Sequence, residues 1–161
     1  MCSSDLVPAR HADLLFSAQV RHPKAAGASR VLRAAAREFT AALALEGREL
    51  SLLLVTDQAI RKLNREHRGK DTPTDVLSFP QEEPRAARRA TGPIGDVVIS
   101  LHTALRQAGQ GGWPLSLELR RLLAHGLLHC LGHDHQTKAQ ARRMAQAERE
   151  LLGREGMVGE A

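Results

Sequence analysis

The sequence predicts an α+β domain: a small mixed sheet of about four strands, helices packed on it, and one central helix buried among them. Three observations lead there. Helical and strand patterns intermix along the 161 residues without strict βαβ alternation. Residues 50–55, LSLLLV, are apolar almost throughout, as in a central strand covered on both faces. Residues 115–131 carry Leu122, Leu123, Leu127, Leu128 and Leu131, which makes this stretch helical and buried.

Each element has its own signal. LLFSAQV, 14–20, is a short apolar run with a β-favouring end, and so a first strand. Ser29 is a good N-cap for a helix over 30–46, with Leu32, Ala35, Phe39, Ala42 and Leu43 on one face and Gly47 closing it. After strand 50–55, Asp57 caps a second helix running to Asn64. Within LNREHRGKDTPTDVLSFP, 63–80, Gly69 and Pro73 mark turns, and Val76 to Phe79 form a strand that Pro80 stops. IGDVVIS, 94–100, is a strand, and Ser100 caps a helix to Gln107, before Gly109. GQGGWP, 109–114, leads into the helix 115–131. Thr137 with Gln140 makes a capping box for a last helix, 138–152. Its Ala141, Met144, Ala145, Glu148 and Leu152 read mostly as one apolar stripe, ending at Gly153.

The length suits one domain, 1–161, with 1–12 and 154–161 expected to fray and 81–93 expected to be a mobile loop. No apolar signal region and no run long enough to span a membrane is visible, and Cys2 and Cys130 are too far apart to suggest a disulfide. These features predict a soluble cytoplasmic protein with no membrane partner. The net charge of +5 favours a polyanionic partner. Arginine outnumbers lysine 19 to 4, a ratio that genomic base composition also produces, so charge alone is a weak signal. The four aromatics, Phe16, Phe39, Phe79 and Trp113, are too few for a base-stacking platform of the RRM or OB kind. Any nucleic acid would be held mainly by arginine on phosphate.

Residues 125–135, HGLLHCLGHDH, carry the chemistry. His125 and His129 stand one helical turn apart, so both imidazoles leave the same face, close enough to share a metal ion. Gly132 ends the helix in the left-handed conformation, and the reversal lets His135 approach the pair. Three protein ligands and one open position is the arrangement of a catalytic zinc. His133, in the same turn, is a second candidate for the third ligand. Asp134 reads either as a carboxylate that orients a ligand ring or as a turn residue. Cys130 points away from the histidine face and reads as a small buried hydrophobe. The spacing also matches the metzincin pattern H-E-x-x-H-x-x-G-x-x-H except at one position. There Gly126 replaces the glutamate that serves as general base, which argues against peptidase activity.

Together, HGLLHCLGHDH, LNREHRGKDTPTDVLSFP and IGDVVIS resemble the YbeY family of bacterial single-strand-specific endoribonucleases and rRNA maturation factors. The resemblance covers residues 50–152 and departs from the family at Cys130, usually leucine, and His133, usually an aromatic. It implies one zinc ion per chain, Zn2+ held by His125, His129 and His135, with zinc-bound water and an essential arginine that maps onto Arg68 in N-R-x-x-R-G. Arg68 would then clamp phosphate. The implied role is 16S rRNA maturation and ribosome quality control on single-stranded rRNA, with no DNA expected. A small-subunit ribosomal protein and an Era-type GTPase are the implied partners. The alternative is a ribosome-assembly factor that binds RNA and protein around a mainly structural zinc. A metzincin-like peptidase lacking its glutamate comes third.

Overall fold

The structure, a computed structural model, describes residues 10–81 and 92–153. Most of the expected mobile loop and the expected frayed ends lie outside these residues, although Ala12 is buried and donates its N–H to Thr40 Oγ1 at 3.1 Å. Four strands form one sheet: β1 (Asp13–Ala18), β2 (Glu49–Val55), β3 (Val76–Pro80) and β4 (Gly95–Ser100). Their spatial order is β1-β2-β4-β3, with β1, β2 and β4 parallel and β3 antiparallel to β4. Among the described residues five helices accompany them: α1 (Ala25–Ala42), α2 (Asp57–Arg68), α3 (Leu101–Gly111), α4 (Leu115–Cys130) and α5 (Lys138–Leu152). The mixed sheet and the α+β class are as the sequence predicts. None of the described helices is long and apolar enough to cross a membrane.

The pleat sorts the strand residues onto two unequal faces. Leu50, Leu52 and Leu54 of β2 and Val97 and Ile99 of β4 join Leu32 and Phe39 of α1 and Leu119, Leu123 and Leu127 of α4 in the main core. The opposite face carries Val55, Leu77 and Val98 under Ile60 of α2, with Leu53, Leu63 and Phe79 at its margin. Helix α4 is the most enclosed of the five, as its leucines predict. Its close seat depends on Gly126, where a Cβ would come within 2.8 Å of Val97 Cγ1 and 3.1 Å of Val76 Cγ2.

Several boundaries differ from the sequence-based expectation. Strand β1 stops at Ala18, two residues early, although Gln19 still donates its N–H to Leu54 O at 2.7 Å. Helix α1 starts at Ala25 rather than after Ser29, and the Ser29 hydroxyl donates back to Ala25 O at 2.7 Å instead of capping. Burial of Ala28 in the core outweighs the local cap signal. The helix also ends before Gly47, because Ala44 at φ 56° already turns the chain toward β2.

Helix α2 is capped by Thr56, whose hydroxyl accepts from Ala59 N, while Asp57 accepts hydrogen bonds from Ser100 and Thr103 at 2.6 and 2.7 Å. It also continues a full turn past Asn64, to Arg68. The reason is tertiary: Asn64 is buried inside the helix and donates to Thr72 O at 2.9 Å, which folds the following loop back on it. Helix α3 passes Gly109 and is capped at Gly112 instead. The predicted span of α4 and the capping box of α5 agree with the structure to within a residue.

Candidate metal centre

The buried helix α4 presents His125 and His129 on one face, with ring centroids 4.6 Å apart. The helix then stops in a two-bond cap: Gly132 donates to His129 O and His133 to Leu128 O, both at 3.0 Å. Gly132 has φ 96°, a conformation costly for any residue with a Cβ, and this turn returns the chain toward the pair. The His135 ring thereby stands 5.9 Å from that of His125 and 5.1 Å from that of His129. One nitrogen from each of the three rings lies within 4.8 Å of the others, a set able to hold a metal ion. His133 is not part of this set, although it lines the same cleft.

Two environments prepare the rings. Burial lowers the His129 pKa, and the neighbouring His125 and His135 lower it further, which favours the neutral imidazole that metals bind. His125 Nδ1 lies 2.8 Å from Glu148 Oε1 on α5. With a carboxylate as acceptor this nitrogen carries the proton, leaving the lone pair on Nε2. The sequence reading placed Glu148 within an apolar stripe and so missed it. A signal was present: a carboxylate on an otherwise apolar helix face needs a buried partner. Asp134 accepts from its neighbour His135 N at 2.7 Å, as a turn residue does, and its charge lies near enough to the His129 ring to act on it.

Arg68 ends α2 on the other face of the sheet, where Gly69 caps the helix. Its guanidinium passes the β3 edge, donates to Ser78 O at 3.4 Å, and lines the same cleft of about 530 Å³ as the three histidines. No ion pair holds it among the described residues. Cys130 is fully buried under Gly95, and burial pushes its thiol up to about 12. It is the small hydrophobe that the sequence suggests. Gly126 leaves no room at the metzincin glutamate position, since any side chain there would enter the packed surface of β4 and β3.

This geometry meets the comparisons with known proteins at one family. The model of that family, described as "Endoribonuclease YbeY", matches residues 17–156. The chain belongs to the YbeY family. A relative named Endoribonuclease YbeY from Anaeromyxobacter dehalogenans is 56% identical over 87% of this chain and 71% of its own length. One from Myxococcus xanthus is 51% identical over 89% of this chain, which spans 49% of that longer relative. Among solved structures, the solution structure of TM1509 from Thermotoga maritima aligns with a TM-score of 0.54 and 22% identity, covering 86% of this chain and 90% of the other. That likeness concerns the fold, and it places the four-stranded sheet and its helices in the same architecture.

Proposed function

We propose that this chain is a zinc-dependent endoribonuclease that cuts single-stranded RNA during rRNA processing, in the cytoplasm. The observation that carries the reading is the shared cleft: three imidazole nitrogens gathered in one cluster, with the Arg68 guanidinium in the same wall. Membership in a family described as endoribonuclease supports the RNA substrate. The donor set suits zinc. Tetrahedral zinc takes nitrogens at about 2.0–2.1 Å, which sets them roughly 3.3 Å from one another, so small rotations close a cluster whose atoms already lie within 4.8 Å. When bound, such an ion supplies a Lewis acid and a water that loses its proton near neutral pH.

The chain's own residues do the rest. Glu148 holds the His125 ring in one orientation. The free N–H groups of Arg68 offer a fork that matches two phosphate oxygens and offsets charge that builds there during reaction. Cluster and arginine both face a cleft, and His135 is solvent-exposed, an arrangement with access for a substrate. The small-subunit ribosomal protein and the Era-type GTPase implied by the resemblance belong to the same proposal.

The test is cleavage of a single-stranded RNA by purified protein and by His129→Ala from a parallel preparation, with zinc measured in both. Wild type carries about one zinc per chain and cuts, whereas the variant folds, loses zinc and does not cut. Equal cleavage by the two sinks the nuclease reading. Zinc retained with no cleavage by wild type would favour the assembly factor with a mainly structural metal.

A further inference from the structure

A second cleft, of about 550 Å³, adjoins the histidine cleft and shares Asp75, Val76 and His125 with it. Its volume is in the range of small-molecule sites. Its chemistry differs from that of its neighbour. Trp113, the single tryptophan of the chain, lines it together with Gln107, Gln110, Glu118 and Arg121. None of the three phenylalanines lines either cleft: Phe39 is buried in the core, Phe16 lies under Arg33, and Phe79 packs on His67.

The polar groups here are not used up by one another. Glu118 is 4% exposed, and burial raises its pKa. The Trp113 indole N–H donates to its Oε2 at 3.4 Å and the Gln107 side chain also hydrogen-bonds to it, which leaves part of the carboxyl group's roughly four acceptor sites open. Asp75 is more heavily engaged, with Thr74 and Val76 donating to one oxygen and Gln107 to the other. The Arg121 guanidinium lies 5.0 Å from the Trp113 ring centroid, and its Nη1 is buried without a hydrogen-bond partner among the described residues. A buried charged donor without an acceptor is costly, and a ligand carbonyl that draws it out relieves that cost.

Net charge selects the ligand. Asp75, Glu118 and Glu148 set three carboxylates against one guanidinium in this cleft, so a phosphate is disfavoured. A flat neutral group with N–H donors beside a carbonyl fits: the edge of a nucleobase presents that pattern, and its face stacks on aromatic or guanidinium planes. Building on the nuclease reading, we propose that this cleft is a nucleobase subsite. It receives the base next to the phosphate that lies between Arg68 and the histidines, with Glu118 accepting from the base edge and Trp113 and Arg121 meeting the base itself. One base is held, not a stacked run, which is compatible with a chain that has a single tryptophan.

Trp113 provides a readout that needs no cleavage. Its fluorescence is titrated with free nucleosides, and with ribose 5-phosphate as the probe that has sugar and phosphate but no base. Saturable quenching by at least one nucleoside and none by ribose 5-phosphate is expected. In Arg121→Ala and in the milder, exposed Gln110→Ala the nucleoside response weakens while zinc content stays at the wild-type level. The second arm measures cleavage of one RNA in which each nucleotide flanking the cut is replaced in turn by an abasic residue. At one flank the abasic RNA is cut roughly tenfold more slowly by wild type, as expected for a lost base contact, and Arg121→Ala shows little further loss from the same replacement. Cleavage indifferent to both abasic positions, with no nucleoside quenching, overturns the subsite and leaves the nuclease reading standing. If no RNA is cut, the fluorescence arm decides alone: nucleoside quenching that Arg121→Ala abolishes keeps the subsite and rejects the nuclease, and its absence rejects both.

Discussion

The two faces of the sheet contribute to one cleft on opposite terms. On the heavily covered face, α4 lies between β4, α1, α3 and α5, and its histidines are set by a packed core. On the other face, α2 lays its own Ile60 over three buried sheet residues, Val55, Leu77 and Val98, and its last residue, Arg68, extends past the sheet edge. A metal ligand set needs fixed rings, which close packing provides. A phosphate-binding arginine needs reach and solvent access more than rigidity, and an exposed helix end provides those. Stability and chemistry are therefore coupled on the first face and separable on the second.

Arg68→Ala gives the largest effect and sharpens this contrast. It should slow single-turnover RNA cleavage about a hundredfold, while zinc content is unchanged and stability moves by less than about 0.5 kcal/mol. Lysine should restore only part of the rate, because an ammonium lacks the forked donors. Equal rates for wild type and Arg68→Ala would show that the thin face adds nothing to the chemistry.

Glu148→Ala comes next. Loss of the carboxylate that holds the His125 ring should weaken zinc affinity roughly ten- to a hundredfold, read by competition with a chromophoric chelator. Glu148→Gln, which keeps an acceptor, should fall between the variant and wild type.

Gly126→Ala tests the coupling on the packed face. A methyl group aimed 2.8 Å from Val97 Cγ1 should cost about 1–3 kcal/mol in urea unfolding and displace the histidine pair enough to weaken metal binding. Unchanged stability would mean that α4 is free to shift on the sheet.

The smallest effect concerns pH, at the joint between α2 and α3. Burial alone would raise the Asp57 pKa, but hydrogen bonds from Ser100, Thr103 and Arg106 outweigh it and hold it below the usual carboxylate value. A depressed folded pKa means stability present above the unfolded value and lost as pH falls through the folded one. Asp57→Asn should therefore remove this contribution at neutral pH, where it is fully present, and flatten the acid limb below about pH 4, so that the two stability curves converge in acid, as urea midpoints at several pH values would show.

Sequence by itself determined what local backbone geometry dictates. Four residues make one helical turn, so His125 and His129 share a face wherever the helix sits; Gly132 admits the left-handed cap; Thr137 and Gln140 close a capping box. The tertiary structure decided everything that joins distant segments. Only packing brings Glu148 to His125 across 23 residues, carries Arg68 round the edge of β3 to the histidines, and seats β4 between β2 and β3. It also overruled local signals at Ser29, Asp57 and Gly109, where burial of Ala28, the hydroxyls of Ser100 and Thr103, and a cap at Gly112 won. Local rules involve only bonds within a turn or two of chain, worth about 1 kcal/mol each, whereas the contacts that placed these groups draw on the burial of a whole core.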